Sequence, residues 1–278
     1  MNGPVRITVL AIALAGLTLS VSGCNKLAAR DQLNKGVESY KAAKYEEAIG
    51  HFQKATELDP NLPMAKTYLG TALAQNVVPG LDTPENLKTA QQAISIFQDV
   101  LKQNPNDVGS LKQVASIYFG IKKFDEAKEW QKKVLAVDPK DPEAAYTVGV
   151  IDWTLAHQNV LKALGEAGLN DDGEGNVKAP KKVLEAIKAQ NGPLVEEGLK
   201  YLNDAVANRA NYDDAMSYLN LIYRRKADVD YADASAVKDD VAAAKDWSAK
   251  AMGSRKINEA KKDKGQGGIV MDSNGNMK

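Results

Sequence analysis

Three stretches of this chain follow one template: EEAIGHFQKATELDP at 46–60, QQAISIFQDVLKQNP at 91–105 and DEAKEWQKKVLAVDP at 125–139. In each, an alanine (Ala48, Ala93, Ala127) opens an apolar series at helical spacing, and a proline (Pro60, Pro105, Pro139) closes it twelve positions later. Such recurrence marks stacked supersecondary units, each too small to bury its own apolar face. An array of this kind offers extended surface in place of an enzyme-like core. The expected activity is therefore non-enzymatic binding of other proteins.

Each repeat reads as a helix, a tight turn and a second helix. In the first, the turn falls at 42–45, and the second helix places Ala48, Phe52 and Ala55 on one stripe. The small Ala48 lets two helices approach while Phe52 fills the space beyond. Pro60 ends the repeat, because proline cannot continue a helix and pushes the preceding residue out of helical backbone. Gly36, twelve residues ahead of Ala48, stands where the first helix is expected to cross its partner.

The set Gly36, Tyr45, Ala48, Phe52, Ala55 and Pro60 resembles the tetratricopeptide repeat. So do Leu69, Gly70, Ala93, Phe97, Val100 and Pro105, with the extra residues 76–86 between the helices, and Ala115, Tyr118, Phe124, Ala127, Val134 and Pro139. A degenerate fourth copy pairs 142–153, containing Gly149, with 196–212, containing Gly198, Leu202 and Ala205. A fifth pairs 214–226 with 242–252, containing Ala244, Trp247 and Ala251. The resemblance implies an all-α fold over residues 29–256: an α-solenoid of about five antiparallel helix pairs, the tetratricopeptide superhelix, with insertions in repeats two, four and five. The insertion 157–196 is expected to hold two short amphipathic helices, 159–169 and 180–190, that close over a groove, extend the scaffold or touch a partner. Residues 257–278 read as a disordered tail.

In the family, the first helix of each pair lines the concave side. Positions −3, +1 and +4 from the glycine column share that face. They are Leu33, Val37 and Tyr40, then Thr67, Thr71 and Ala74, then Lys112, Ser116 and Phe119. The later pairs give Tyr146, Val150 and Trp153, then Ser217, Leu221 and Arg224. Tyr40, Lys112, Phe119, Tyr146, Trp153, Leu221 and Arg224 are the candidate partner-binding residues, since aromatics and arginine dominate interface hot spots. Such a lining suits an extended or helical apolar peptide. Leu33, Val37 and Thr67 stand where chaperone-binding members of the family carry polar groups that clamp a carboxylate. The row His51, Ile96, Trp130, Tyr201 and Trp247 on the second helices is read as packing between repeats.

At the N-terminus, Arg6 precedes the apolar run ITVLAIALAGLTLSV, which is short for a spanning helix. It leads to Val21-Ser22-Gly23-Cys24, and Cys24 is the only cysteine in the chain. This resembles the lipobox of bacterial lipoproteins. The resemblance implies a signal peptide over 1–23, lipidation of Cys24 (palmitate among its acyl chains), a short linker at 25–28 and a membrane anchor facing the periplasm. Asn25 favours the outer membrane over the inner. The expected protein is a membrane-anchored extracytoplasmic scaffold. An alternative is an assembly or maturation factor for an envelope machine, serving outer-membrane protein insertion or a pilus or secretion complex.

Net charge is zero, so nothing points to nucleic acid. No phosphate loop, serine elbow or metal-spaced His/Cys cluster occurs, and no cofactor is expected. The acidic loop 170–181 approaches an EF-hand pattern through Asn170, Asp172, Glu174 and Gly175, but Lys181 stands where the bidentate glutamate belongs.

Overall fold

The structure is a computed structural model that describes residues 24–62 and 64–265. The expected signal peptide, 1–23, and the end of the expected tail, 266–278, lie outside the described residues. Those residues form ten helices: α1 (24–41), α2 (Tyr45–Leu58), α3 (Ala65–Asn76), α4 (Pro84–Gln103), α5 (Val108–Gly120), α6 (Phe124–Val137), α7 (Pro142–Glu166), α8 (Lys181–Asn208), α9 (Asp213–Val229) and α10 (Ala234–Gly265). They make five consecutive pairs, the all-α solenoid that the repeats imply. None of these helices is long and apolar enough to cross a membrane.

The template residues explain the helix ends. Pro60 and Pro105 each follow a C-cap residue, Asp59 and Asn104, whose backbone has left the helical region (φ/ψ −141/91° and −134/87°), as a residue before proline must. Within the first and third pairs the turns have the same bonds. Lys44 N–H donates to Ser39 O and Ala43 N–H to Tyr40 O, as Lys123 N–H does to Tyr118 O and Lys122 N–H to Phe119 O. This double bond pattern places Ala43 (φ 58°) and Lys122 (φ 59°) in left-handed backbone, a Schellman closure without the usual glycine. Helix starts are capped where acid or hydroxyl side chains are available. Asp107 accepts from Ser110 N–H at 2.7 Å, and Asp141 accepts from Ala144 N–H at 2.8 Å with Pro142 in the first helical position.

The described residues divide into two compact units, one up to residue 130 and one from residue 131, with the division inside α6. In the first unit, Ala48 and Phe52 of α2 are buried and pack with Ala72 of α3. A Cβ on Gly36 would lie 2.5 Å from the Phe52 ring, so the glycine is required for α1 and α2 to meet. The extra residues of the second repeat form a loop cinched by buried Asn86. Its side chain accepts from Val78 N–H (2.8 Å) and donates to Val78 O (3.0 Å) and Leu81 O (2.6 Å).

In the second unit, α7 and α8 run antiparallel. Moving along α7 from Glu143 through Gly149 to Asn159, the partners fall from Arg209, the C-cap residue of α8, through Gly198 to Asn191. Gly149 and Gly198 face each other at the crossing, and a Cβ on Gly149 would come within 2.4 Å of Leu202 Cγ.

Four expected boundaries are corrected. The insertion 157–196 does not hold two separate short helices. Instead α7 continues to Glu166 and α8 begins at Lys181, so the fourth pair is an elongated hairpin closed by the loop 167–180. Asn-Gly-Pro at 191–193 looks like a break, yet α8 runs through Pro193 because Asn191 is clamped to α7. It donates to Ala156 O at 2.9 Å and accepts from Asn159 Nδ2 at 3.0 Å. The fifth repeat is lengthened in the same way, α9 reaching Val229 and α10 starting at Ala234. Residues 257–265 are the last turns of α10, not a disordered tail, and residues 25–28 are the first turn of α1, not a linker.

Candidate functional site

In the first unit, the face drawn from the glycine column becomes a cleft. Val37 and Tyr40 of α1 and Thr67 and Thr71 of α3 line a cavity of about 330 Å³, with Lys41, Phe52 and Tyr68 also in its lining. Phe52 and Tyr68 are in ring contact at 5.6 Å. Tyr40 sits 5.4 Å from Tyr45, and burial, helped by Tyr45, holds its phenol above the usual range. At neutral pH the cleft therefore presents uncharged hydroxyls beside apolar surface.

A second cavity of about 280 Å³ includes Ala74 of α3 and Ser116 of α5, two more residues of that face. Lys112 is half-buried on α5. Phe119 is not in these linings. It packs edge-on against Phe124 at 5.7 Å and closes the turn of the third pair.

In the second unit, Tyr146 and Trp153 of α7 are brought together by a residue that the spacing rule passes over, Tyr218 of α9. Its ring stands edge-on to both, at 5.6 and 5.3 Å and 79° in each case. Tyr212 lies 5.2 Å from Tyr146, and His157 stacks on Trp153 at 5.1 Å. Tyr146, Trp153 and Tyr218 lie half-sunk against a core that includes Tyr212, Ala145, Leu219 and Ile222. Burial pushes the Tyr212 phenol up to about 12 and that of Tyr146 higher still, and burial with the nearby Arg225 charge lowers His157. The patch is therefore neutral and aromatic. α9 has no glycine to fix its register, which is why Tyr218 escapes the column and Ser217, bonded to Asp213 O, occupies it.

Leu221 is half-buried on α9. Arg224 is committed elsewhere: Nη1 donates to Gly173 O at 3.0 Å and Nε to Asn220 Oδ1 at 3.2 Å. It fastens the 167–180 loop rather than offering a free cation. The carboxylates of that loop are engaged too. Asp172 Oδ1 accepts from Glu174 and Asn176 N–H, and Asp171 accepts from Gly173 N–H, Asn176 Nδ2 and Arg225. The aromatic row on the second helices is half-buried, with Tyr201 and Trp247 packed on the core and Ile96 in contact range of Gly70.

Residues 87–149 match the tetratricopeptide repeat family. Among curated proteins, the human antiviral innate immune response effector IFIT1 is 35% identical over 41% of this chain. Hsp70-Hsp90 organizing protein 3 of Arabidopsis thaliana is 29% identical, again over 41% of the chain. The chain spans only 25% and 19% of those two relatives. Among solved structures, MamA from Desulfovibrio magneticus RS-1 superposes with a TM-score of 0.54 at 19% identity, covering 83% of this chain and 96% of that one. A MamA RS-1 double mutant gives 0.55 at 18% identity, over 84% and 97%. At such identities these structures speak for the fold alone. Helix pairing and glycine crossings give the described residues an all-helical solenoid fold, and the match to the tetratricopeptide repeat family within it spans residues 87–149.

Proposed function

We propose that this protein is a non-enzymatic interaction scaffold that holds an apolar peptide segment of a partner protein. The cleft between α1 and α3 carries the proposal, because Val37, Tyr40, Thr67 and Thr71 come from the first helices of consecutive pairs and leave about 330 Å³ open between them. That volume accommodates one or two large side chains, and the Tyr40 hydroxyl supplies a neutral polar contact at its edge. The aromatic patch of Tyr146, Trp153 and Tyr218 supports a second anchoring area of the same chemistry. A relative named as a chaperone-organizing protein is in keeping with a binding role.

We further propose that the scaffold is tethered by lipid on Cys24 at the periplasmic face of a membrane, the outer membrane in preference to the inner. The small residues Val21, Ser22 and Gly23 before this sole cysteine support the reading, as does the exposure of Cys24 at the start of α1.

A photo-crosslinking amino acid at Thr71, tested in cells with mass spectrometry of the products, addresses the cleft. One dominant adduct that disappears when Thr67→Arg fills the cavity is the expected result. An adduct pattern unchanged by Thr67→Arg defeats the proposal. Membrane fractionation of Cys24→Ala tests the tether, and an unchanged membrane fraction counts against it.

A further inference from the structure

A cavity of about 610 Å³ in the second unit lies away from the first-helix faces, between the 167–180 loop and the start of α10. Val177 comes from the loop, Tyr231 from the α9–α10 turn, and Ala234, Val237, Val241 and Ala242 from α10. Val177 is 52% exposed, an apolar side chain left at the lip of an apolar trough. The loop wall is firmly seated. Gly175 is buried, and a Cβ there would lie 2.9 Å from Val237 and 3.2 Å from Ala227 O, while Arg224 and Arg225 bind the loop from α9. The trough is therefore a built feature of the elongated fourth hairpin and the lengthened α10.

Its rim is charged asymmetrically. Lys238 and Lys245 stand on one side of α10, two turns and about 10 Å apart along the axis. The single carboxylate in the lining, Glu174, reaches Lys245 only at 3.8 Å, and both groups are more than half exposed. Such a pair is weak and exchanges readily for a better partner.

We propose that this trough is a second docking site, for an apolar segment of a partner protein that carries carboxylates about two helical turns apart. The apolar floor takes the partner's side chains, and Lys238 and Lys245 set their register by pairing with the acids. The site is independent of the α1–α3 cleft, so either can fail without the other.

The test is selection of a displayed library of random 16-residue peptides on the full chain, with recovered peptides labelled and titrated by fluorescence anisotropy. Peptides combining apolar residues at three- and four-residue spacing with Asp or Glu are expected. Val241→Glu should weaken them by about tenfold or more, because it buries a charge against the partner's apolar residues. The double variant Lys238→Glu/Lys245→Glu should weaken them by roughly five- to tenfold and restore binding to versions carrying Lys for Asp or Glu. Thr67→Arg should leave this binding unchanged. All three variants alter exposed or half-buried positions, and circular dichroism checks that they are folded. No enriched peptide, or peptides indifferent to Val241→Glu and to the charge reversal, would overturn the proposal.

Discussion

Asn176 and Asp228, 52 positions apart in sequence, meet through a 2.7 Å hydrogen bond in which Asn176 Nδ2 donates to a carboxylate with no solvent exposure. Arg225, itself 3% exposed, lies 3.2 Å from the other oxygen of Asp228 and 2.9 Å from Asp171. One guanidinium thus serves two carboxylates, and the enclosed site carries one negative charge too many. The two acids part company as a result. Burial pushes the Asp228 carboxyl up to about 7 despite Arg225 and Asn176, with Asp171 and Asp172 adding to the rise. Burial would raise Asp171 as well, but hydrogen bonds from Asn176 and Arg225 outweigh it and hold Asp171 below the ordinary range.

This separation predicts a sign for the pH dependence. Because the folded-state value of Asp228 is raised, the native chain keeps a proton that the unfolded chain releases above about pH 4. The stability from that group is complete below this pH and declines until pH passes about 7. Asp228→Asn removes the titration and leaves those of Asp171 and His157 in place. The stability of the natural chain relative to Asp228→Asn should therefore fall by about 2–3 kcal/mol between pH 5 and pH 8 in urea denaturation. A difference that stays flat, or rises, contradicts the assignment.

Helix crossings give a second prediction with opposite signs at two glycines. Gly149→Ala forces a methyl to within 2.4 Å of Leu202 and should cost about 1–3 kcal/mol, even though alanine is the better helix former. Gly50→Ala, inside α2 with nothing within 4 Å of the new Cβ, should instead stabilise by about 0.5–1 kcal/mol. Thermal melts of the two variants separate a crossing glycine from an incidental one.

Trp153 provides the third. Its place on the groove face suggests that truncation affects partner binding alone, but its ring packs on His157 and Tyr218 and against the core of the second unit. Trp153→Ala should therefore lower stability by about 2–4 kcal/mol and erase part of the near-ultraviolet circular dichroism. Tyr40→Ala offers a cleaner binding probe in the first unit, since Tyr40 lines an open cleft.

Much of the pairing was legible because it rests on residues close in sequence. Ala48, Ala93 and Ala127 are fully buried as the template requires, and Gly36 meets Phe52 sixteen residues on. What escaped depends on distant partners. Asn191-Gly192-Pro193 carries the local signs of a break, yet α8 continues there with Asn191 bonded to Ala156 and Asn159 on α7. Arg224 stands at a groove position by spacing, yet its guanidinium is claimed by Gly173, 51 residues earlier. The turns at Ala43 and Lys122 lack the glycine that would have advertised them.

The second-repeat loop allows a test in which two similar side chains diverge. Asn86 is 7% exposed and uses both ends of its amide, accepting from Val78 N–H and donating to Val78 O and Leu81 O. A single side chain therefore satisfies three backbone groups of the loop between α3 and α4. Asn86→Ala leaves those groups to find water or go unpaired, which should cost about 1–3 kcal/mol. Asn86→Asp retains the acceptor but sets a carboxylate oxygen facing two carbonyls, so it should be at least as damaging above the carboxylate range and recover toward pH 4 as the new acid protonates. Hydrogen exchange at Val78 reports the outcome directly: protection should drop in both variants at pH 7, with recovery on acidification only in Asn86→Asp. Equal exchange in all three proteins would mean that the loop is held by something other than the Asn86 amide.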